Sequence, residues 1–424
     1  MIIDSVRMVI YAIVLKRVYD HSLCREYDYE GQGKTLKLPE TEKENHNTMS
    51  KSKPVEYIDT KARLDELAEK LMRENAVAVD LEADSMHHFE EKVCLVQLGT
   101  RKSCYIADPI AIEDFSALQP LFANPGIVKI FHGADYDVRC LYKDFAITVE
   151  NLFDTELAAR FLGYGATSLE AVLARHFNAV LDKKFQKKDW SVRPLPDEMK
   201  AYAADDVRYL VELYEEIKAL LNEKERIEWV RQHCEDIAAV RPEPKNGHEP
   251  LFLRVKGAGR LDPKSLAVLE SLLDFRLETA RGKDRPPFKI LGNRALLALA
   301  QKKPKTDKEL QKSGLLTKRQ LHMYGDPLLR QINSALSIPP ENRPCYPRRK
   351  SAPVSAEVTR RIRKLKKWRQ KKADALEIDP SLVLNKTALR QIAEKKPESL
   401  AQLDEIRELK PWQKELFGKE LIRI

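Results

Sequence analysis

No two of the six cysteines (Cys24, Cys94, Cys104, Cys140, Cys234 and Cys345) are spaced C-x-x-C. Neither a zinc site nor a disulfide framework is therefore indicated, and buried free thiols in a reducing cytoplasm are the expectation. The chain also lacks an apolar run near the ~20 residues that span a bilayer, so no membrane association is expected. The apolar start, "MIIDSVRMVIYAIVLKRVYD", is broken by Arg7 and has neither the basic opening nor the small-residue cleavage site of a signal peptide. Residues 21–53 are polar and without pattern. Residues 1–48 read as lying outside the working fold, with Met49 as a candidate natural start and residues 1–54 as an N-terminal extension.

What is present points to a globular chain of several domains. Its 424 residues exceed one ordinary core, and 43% of them are hydrophobic, which argues against disorder. The net charge is +9, compatible with a polyanionic partner, although 33% of residues are charged and both signs abound.

From Tyr57 the pattern becomes regular. "DTKARLDELAEKLMREN" has helical spacing, with Leu64, Leu67, Ala68 and Leu71 on one side and Asp59 or Thr60 as cap. Runs at 76–82, 92–100 and 103–108 read as a meander of antiparallel strands. Helix and strand then alternate through 154, and helical patterns follow at 156–163, 168–177, 197–221 and 223–239. A mixed α/β sheet with helices on its faces is the expected result for 55–240. The Pro- and Gly-bearing stretch "VRPEPKNGHEP" opens a linker at 241–261. Beyond it the strands vanish. A shift of 93 residues lays "LLALAQKKP" over "LRQIAEKKP" and Pro287 over Pro380. Two copies of one helical module are expected, at 262–337 and 356–424, joined by a Pro-rich connector at 338–355.

The stretch "AVAVDLEAD" (76–84) places Asp80 and Glu82 two apart on a strand, hence on one face. Two adjacent carboxylates repel unless a proton or a cation lies between them. Further acids lie downstream. "KIFHGADYDVRCL" delivers His132 from a strand, then Asp135 and Asp137 at the top of a helix. "AYAADDVRYL" puts Tyr202 and Asp206 four apart on one helical face, with Asp205 turned away by about 100°. Acids in a first helical turn, or along an amphipathic helix, are common without any function. Spacing alone leaves Asp135 against Asp137, and Asp205 against Asp206, undecided.

Taken together, D-x-E, H-x-A-x-x-D and Y-x-x-x-D, with "VCLVQLGT", "NLFDTELAARFLG", "SLEAVLARHF" and "DKKFQKKDWSVRPL" around them, resemble the tyrosine branch of the DEDD 3′–5′ exonucleases, and within it the bacterial ribonuclease D family. The helical repeats resemble the HRDC module. The resemblance implies a ribonuclease H-like mixed sheet followed by two all-α HRDC domains. It also implies a metal-dependent 3′–5′ exoribonuclease that releases nucleoside 5′-monophosphates from tRNA precursors and other small structured RNAs. It selects Asp80, Glu82, Asp137 and Asp206 as the metal-binding carboxylates, with Tyr202 as the fifth catalytic group. A DNA exonuclease on the same frame and a non-cleaving RNA-binding scaffold are the rival readings.

Hard Mg²⁺ or Mn²⁺ prefers oxygen ligands, and two such ions about 3.5–4 Å apart can stabilise the attacking and leaving oxygens of a phosphodiester. On that basis Asp80 would serve both ions, Glu82 and Asp206 would hold the nucleophile-side ion, and Asp137 would hold the second, directly or through water. Tyr202, with a reference pKa near 10, orients the attacking water. RNA contacts are expected from Lys184, Lys187, Lys188 and Trp190 in one basic-aromatic loop, and from Arg363 and Lys367 in "TRRIRKLKKWRQKK"; His132 is a further candidate, with a local hydrogen bond at the strand end as the favoured reading. Gln97, set among apolar neighbours, is expected to satisfy backbone or bound sugar. A cytoplasmic monomer acting on RNA 3′ ends completes the expectation, with the residues up to Arg241 sufficient to hydrolyse short single strands.

Overall fold

The computed structural model describes residues 53–242, 249–347 and 355–424. The expected extension at 1–48, Cys24 and parts of both connectors lie outside them. Strand β1 (Val55–Ile58) leads into helix α1 (Lys61–Leu71), whose N-cap Thr60 accepts the amide of Arg63 and whose Leu64, Leu67, Ala68 and Leu71 are buried. Strands β2 (Ala76–Ala83), β3 (Val93–Gly99) and β4 (Cys104–Ala107) form the antiparallel meander. Helix α2 (Gln119–Ala123), strand β5 (Val128–Phe131), helix α3 (Asp135–Phe145) and strand β6 (Leu152–Asp154) follow. The sheet order is β1-β4-β3-β2-β5-β6. Strand β2 is antiparallel to β3 and parallel to β5, so the sheet changes direction along its central strand. A crevice at the carboxyl end of such a switch point is the favoured place for a site in an α/β sheet.

Sequence reading missed β1, a four-residue edge strand pairing in parallel with β4. Four residues are too few to reveal an alternation. Helices α4 (Thr155–Phe161) and α5 (Leu169–Phe177) lie where expected. The single helix expected over 197–221 is two, α6 (Asp197–Arg208) and α7 (Leu210–Glu223), which meet at Tyr209. Helix α8 (Ile227–Ala238) closes this part of the chain.

The 93-residue repeat recurs element by element. Helices α9 (Pro263–Gly282), α10 (Pro287–Ile290), α11 (Asn293–Lys302), α12 (Asp307–Lys312) and α13 (Lys318–Leu336) are matched by α14 (Ala356–Leu376), α15 (Pro380–Val383), α16 (Lys386–Lys395), α17 (Leu400–Asp404) and α18 (Pro411–Leu421). Internal bonds repeat as well. Arg276 donates to the Leu291 carbonyl at 3.1 Å, and Arg369 to that of Leu384 at 3.0 Å.

The two modules join the sheet domain in different ways. The first has its own apolar core, built on Leu266, Leu269, Leu272 and Leu328, with Phe89 packed against it. The second shares one continuous core with the sheet domain. Trp412 stacks on Trp229 at 4.3 Å and 15°, Arg226 donates to the Leu376 carbonyl at 2.8 Å, and the Trp412 amide donates to Gln232 at 3.2 Å.

A polar joint ties the first module to the loop after β2. Asp284 accepts from His88 Nδ1 at 2.7 Å and from the Phe89 amide at 3.1 Å, while His88 Nε2 lies 2.9 Å from Ser191 Oγ. Ser191 uses its one proton on Asp189, so its oxygen accepts from His88, and a carboxylate can only accept. Both imidazole nitrogens therefore carry protons. The bond to Asp284 accordingly raises the His88 pKa above its ordinary 6.5, with Asp84 and Asp189 acting in the same direction. A raised folded-state pKa stabilises the joint fully below about pH 6.5, and that stabilisation is lost as pH rises through the raised value. Hydrogen-exchange protection at the Phe89 amide is expected to fall with rising pH in the wild type and to be weak throughout in Asp284→Asn. A pH-independent protection factor in the wild type would contradict the charged joint.

Candidate active site

The three carboxylates of Asp80, Glu82 and Asp206 each offer an oxygen, and these oxygens lie within 4.8 Å of one another. Asp80 and Glu82 leave the same face of β2, which α6 crosses together with β3 and β4. The approach of α6 depends on Gly99. A Cβ there would sit 2.7 Å from the Val207 carbonyl oxygen and 3.1 Å from Val207 Cβ. Val207 follows Asp206 directly, so the bare backbone of β3 lets α6 bring that acid down to the strand.

Asp137 is placed by a different device. It sits in the first turn of α3 and is buried. The preceding turn needs a positive φ at Gly133, 84°. Asp154, at the end of β6, accepts the amides of Gly133 (3.0 Å), Ala134 (2.9 Å), Glu156 (2.9 Å) and Leu157 (3.2 Å). One buried carboxylate thus caps α4 and fixes the turn that presents Asp137. Sequence reasoning missed this role, although an Asp just before a helical pattern is a capping signal. The third acid of the opening stretch, Asp84, is structural: its carboxylate accepts the Lys92 amide at 2.7 Å and closes the loop between β2 and β3.

Electrostatics mark the acids as a set that needs positive charge. Burial, and then the neighbouring Asp137, raise the Asp80 carboxyl well above its ordinary range. Burial followed by Asp80, Asp206 and Asp137 pushes Glu82 up to about 10. Asp137 is pushed up to about 8 by burial and then Asp154, and Asp206 is raised by burial and then Asp80. Carboxyls crowded in this way ionise together only with cations among them. An all-oxygen set without thiol or imidazole suits a hard divalent ion, so the residues present fit the metal that such a site implies.

Tyr202, half-buried one turn before Asp206, faces the cluster. Burial first, then Asp206, Glu82 and Asp80, raise its pKa, which keeps the hydroxyl protonated. Phe185 meets its ring edge-on at 5.7 Å and Trp190 lies against it at 5.9 Å. Arg193 anchors that loop with a bidentate pair to Asp108, both bonds at 2.6 Å, and a third bond to the Trp190 carbonyl at 2.8 Å.

The residues expected to touch RNA divide. Trp190 is 1% exposed, so it supports Tyr202 and offers no stacking face. His132 is also committed internally. Its Nε2 donates to the Thr167 carbonyl and its Nδ1 lies against the Thr155 hydroxyl, which itself donates to the Phe131 carbonyl, all at 2.9 Å, and burial lowers the imidazole pKa. Lys184 pairs with Asp182 and Glu198. Lys187 and Lys188 are exposed and form no ion pair among the described residues. On α14, Arg361, Arg369 and Lys372 are used internally. Arg360, Arg363, Lys364, Lys367 and Lys371 are exposed at i, i+3, i+4, i+7 and i+11, one cationic ridge along the helix.

A direction-switching sheet with acids from β2, α3 and α6 and a tyrosine one turn from the last defines a metal-dependent 3′–5′ exonuclease domain. Residues 55–222 match the 3′–5′ exonuclease family, and residues 265–332 and 358–424 each match the HRDC domain. The chain belongs to the ribonuclease D family. It is 30% identical over 288 residues to ribonuclease D of Shewanella sp. (strain ANA-3), covering 68% of this chain and 74% of that one. It is also 35% identical over 265 residues to human exosome complex component 10, covering 59% of this chain but only 29% of the longer human protein. The crystal structure of Escherichia coli RNase D shares the fold, with a TM-score of 0.64 at 21% identity over 87% of this chain and 98% of that one. The ribonuclease H-like sheet followed by two helical HRDC domains is thus the architecture of this chain. Among the described residues, no helix is long and apolar enough to cross a membrane.

Proposed function

We propose that the chain is a 3′–5′ exoribonuclease that releases nucleoside 5′-monophosphates and trims the 3′ ends of tRNA precursors and other small structured RNAs. The observation that carries this reading is the convergence of Asp80, Glu82 and Asp206 within 4.8 Å, with Asp137 close enough to act on their charge. Asp80, Glu82, Asp137 and Asp206 would hold two Mg²⁺ or Mn²⁺ ions, which would supply positive charge to a phosphodiester gaining negative charge and make the attacking water more acidic. Tyr202, kept protonated, orients that water through its hydroxyl. Tyr202→Phe is therefore expected to lower turnover by about 10²-fold, as loss of one positioned polar group does, with Mn²⁺ affinity unchanged. A shift in metal titration as large as that of Asp206→Asn would assign Tyr202 to the metal instead.

Beyond the site, Lys187, Lys188 and the ridge bearing Arg363 and Lys367 suit RNA phosphates. A cavity of about 540 Å³ in the first HRDC module, lined by Lys283, Arg285, Lys289 and Arg319 with no acid in its lining, offers a further phosphate-binding surface. Replacing Arg363 and Lys367 together by Glu should flatten the slope of log K against log salt by roughly 0.7 for each lost single-strand contact, while the rate at saturating RNA is retained. An unchanged slope would remove the ridge from the RNA path. The buried thiols of Cys94, Cys104, Cys140 and Cys234 suit a reducing cytoplasm, where one chain would be the working unit.

Digestion of matched RNA and DNA oligonucleotides, labelled at the 5′ end, tests the function. The expected result is a ladder shortening from the 3′ end on RNA, abolished by EDTA. Equal cleavage of DNA would favour the DNA exonuclease, and binding without cleavage in Mg²⁺ or Mn²⁺ would favour the scaffold.

A further inference from the structure

Gln97 lies on β3 directly opposite Asp80 on β2, so the two side chains leave the same face of the sheet. It is 0% exposed, and neither Oε1 nor Nε2 has a hydrogen-bond partner among the described residues. A buried amide with both polar atoms unpaired is unfavourable, and an apolar side chain of similar volume would fill the position without that cost. Its persistence calls for a partner.

The register limits what that partner can be. On the same face of β2 and β3, the next pair in one direction is Ala78 with Gly99, and in the other Glu82 with Leu95. Toward β4, Gln97 faces Ile106. The polar groups flanking it on these strands are therefore the carboxyls of Asp80 and Glu82, and the one directly opposite is Asp80. Ionised carboxylates only accept hydrogen bonds. No side-chain donor reaches Asp80, Glu82, Asp137 or Asp206 among the described residues. An amide can orient a carboxylate without cancelling its charge, whereas a lysine or arginine in the same place would compete with a cation.

We propose that Gln97 is a positioning residue of the metal centre: its side-chain amide donates to the Asp80 carboxylate when Asp80 acts as a ligand, fixing which carboxylate oxygen is presented to the cation. This rests on the reading of Asp80 as a metal ligand. Partners that hold a ligand in place typically change metal affinity 10- to 100-fold when removed.

The test is Mn²⁺ binding to the full chain without RNA, measured by calorimetry, together with thermal unfolding with and without Mn²⁺. Gln97→Met is expected to unfold at or above the wild-type temperature without metal, because an unpaired amide is gone. It is expected to bind Mn²⁺ about 10- to 100-fold more weakly and to show a smaller Mn²⁺-induced rise in unfolding temperature. In an Asp80→Asn background the same change should alter Mn²⁺ affinity by less than about twofold, because Gln97 acts through Asp80. Wild-type Mn²⁺ affinity in a folded Gln97→Met protein would overturn the proposal. So would loss of the metal-free fold in both Gln97→Met and Gln97→Leu, which would make the amide purely structural. Wild-type Mn²⁺ affinity in Asp80→Asn alone would refute the metal-site reading, and the role of Gln97 with it.

Discussion

Asp80→Asn and Asp206→Asn are each expected to reduce single-turnover RNA cleavage by about 10²- to 10³-fold at saturating Mg²⁺, with circular dichroism and metal-free unfolding temperature held at or above wild type. The substitution keeps shape and removes one negative charge from a site that, on the proposed reading, gathers positive charge. Stabilisation of transition-state charge by bound metal is worth several kcal/mol, and each 1.36 kcal/mol is tenfold in rate. The fold should not suffer, because burial and mutual repulsion already disfavour the charged forms of Asp80, Glu82 and Asp206. A neutral amide relieves that repulsion. The neighbouring Asp205 supplies an internal control: it pairs with Arg208 at 2.6 Å, about 100° around the helix from Asp206. Asp205→Asn should retain cleavage within about twofold. More than a tenth of wild-type turnover in either Asp80→Asn or Asp206→Asn would show that the site has been misassigned.

Trp412→Ala is expected to cost about 3–5 kcal/mol, the usual range for removing a buried large aromatic residue. Trp412 is 3% exposed and stacks on Trp229, with Phe161 edge-on at 5.9 Å and Phe417 at 6.0 Å. Its amide is held by Gln232, and Lys410 nearby pairs with Asp236. The loss should appear as a lower urea midpoint for the sheet domain itself, followed by a probe far from Trp412, since both regions belong to one core. The same packing revises the expectation that the residues up to Arg241 work alone. A chain ending there would expose Trp229, Phe161 and the aliphatic side of α8, and should be poorly soluble or unfold at a much lower temperature. A truncated protein that stays monomeric with the wild-type unfolding temperature would show that the shared core adds nothing.

The sheet domain was legible because its elements are long or strongly patterned. Val77, Val79 and Leu81 alternate with Asp80 and Glu82, and the helix at 135–145 has a clear apolar stripe. The repeat was legible because a fixed offset needs no knowledge of structure. What escaped the sequence depends on tertiary placement. The break at Tyr209 is hidden because apolar spacing continues across it from Val207 to Leu210. The docking of the second module was invisible because nothing in the sequence pairs Trp412 with Trp229, 183 residues away. The choice of Asp137 and Asp206 over their neighbours needed the family motif. The structure separates the first pair: Asp137 is buried behind the turn held by Asp154, whereas Asp135 is exposed and pairs with Arg139. Trp190 reads as an RNA contact because side-chain chemistry is visible in a sequence and burial is not, whereas the local hydrogen bonding favoured for His132 is what the structure contains.

The clearance at Gly99 makes the gap between strand and helix a machining tolerance of one methyl group. An alanine there would meet the Val207 carbonyl at 2.7 Å, closer than non-bonded atoms allow, and α6 would have to lift. Lifting α6 carries Asp206 and Tyr202 away from Asp80 and Glu82 while leaving every charged and polar group of the site intact. A small change that would disturb this site thus falls on a residue with no side chain, and a search for function guided only by reactive groups would pass over it.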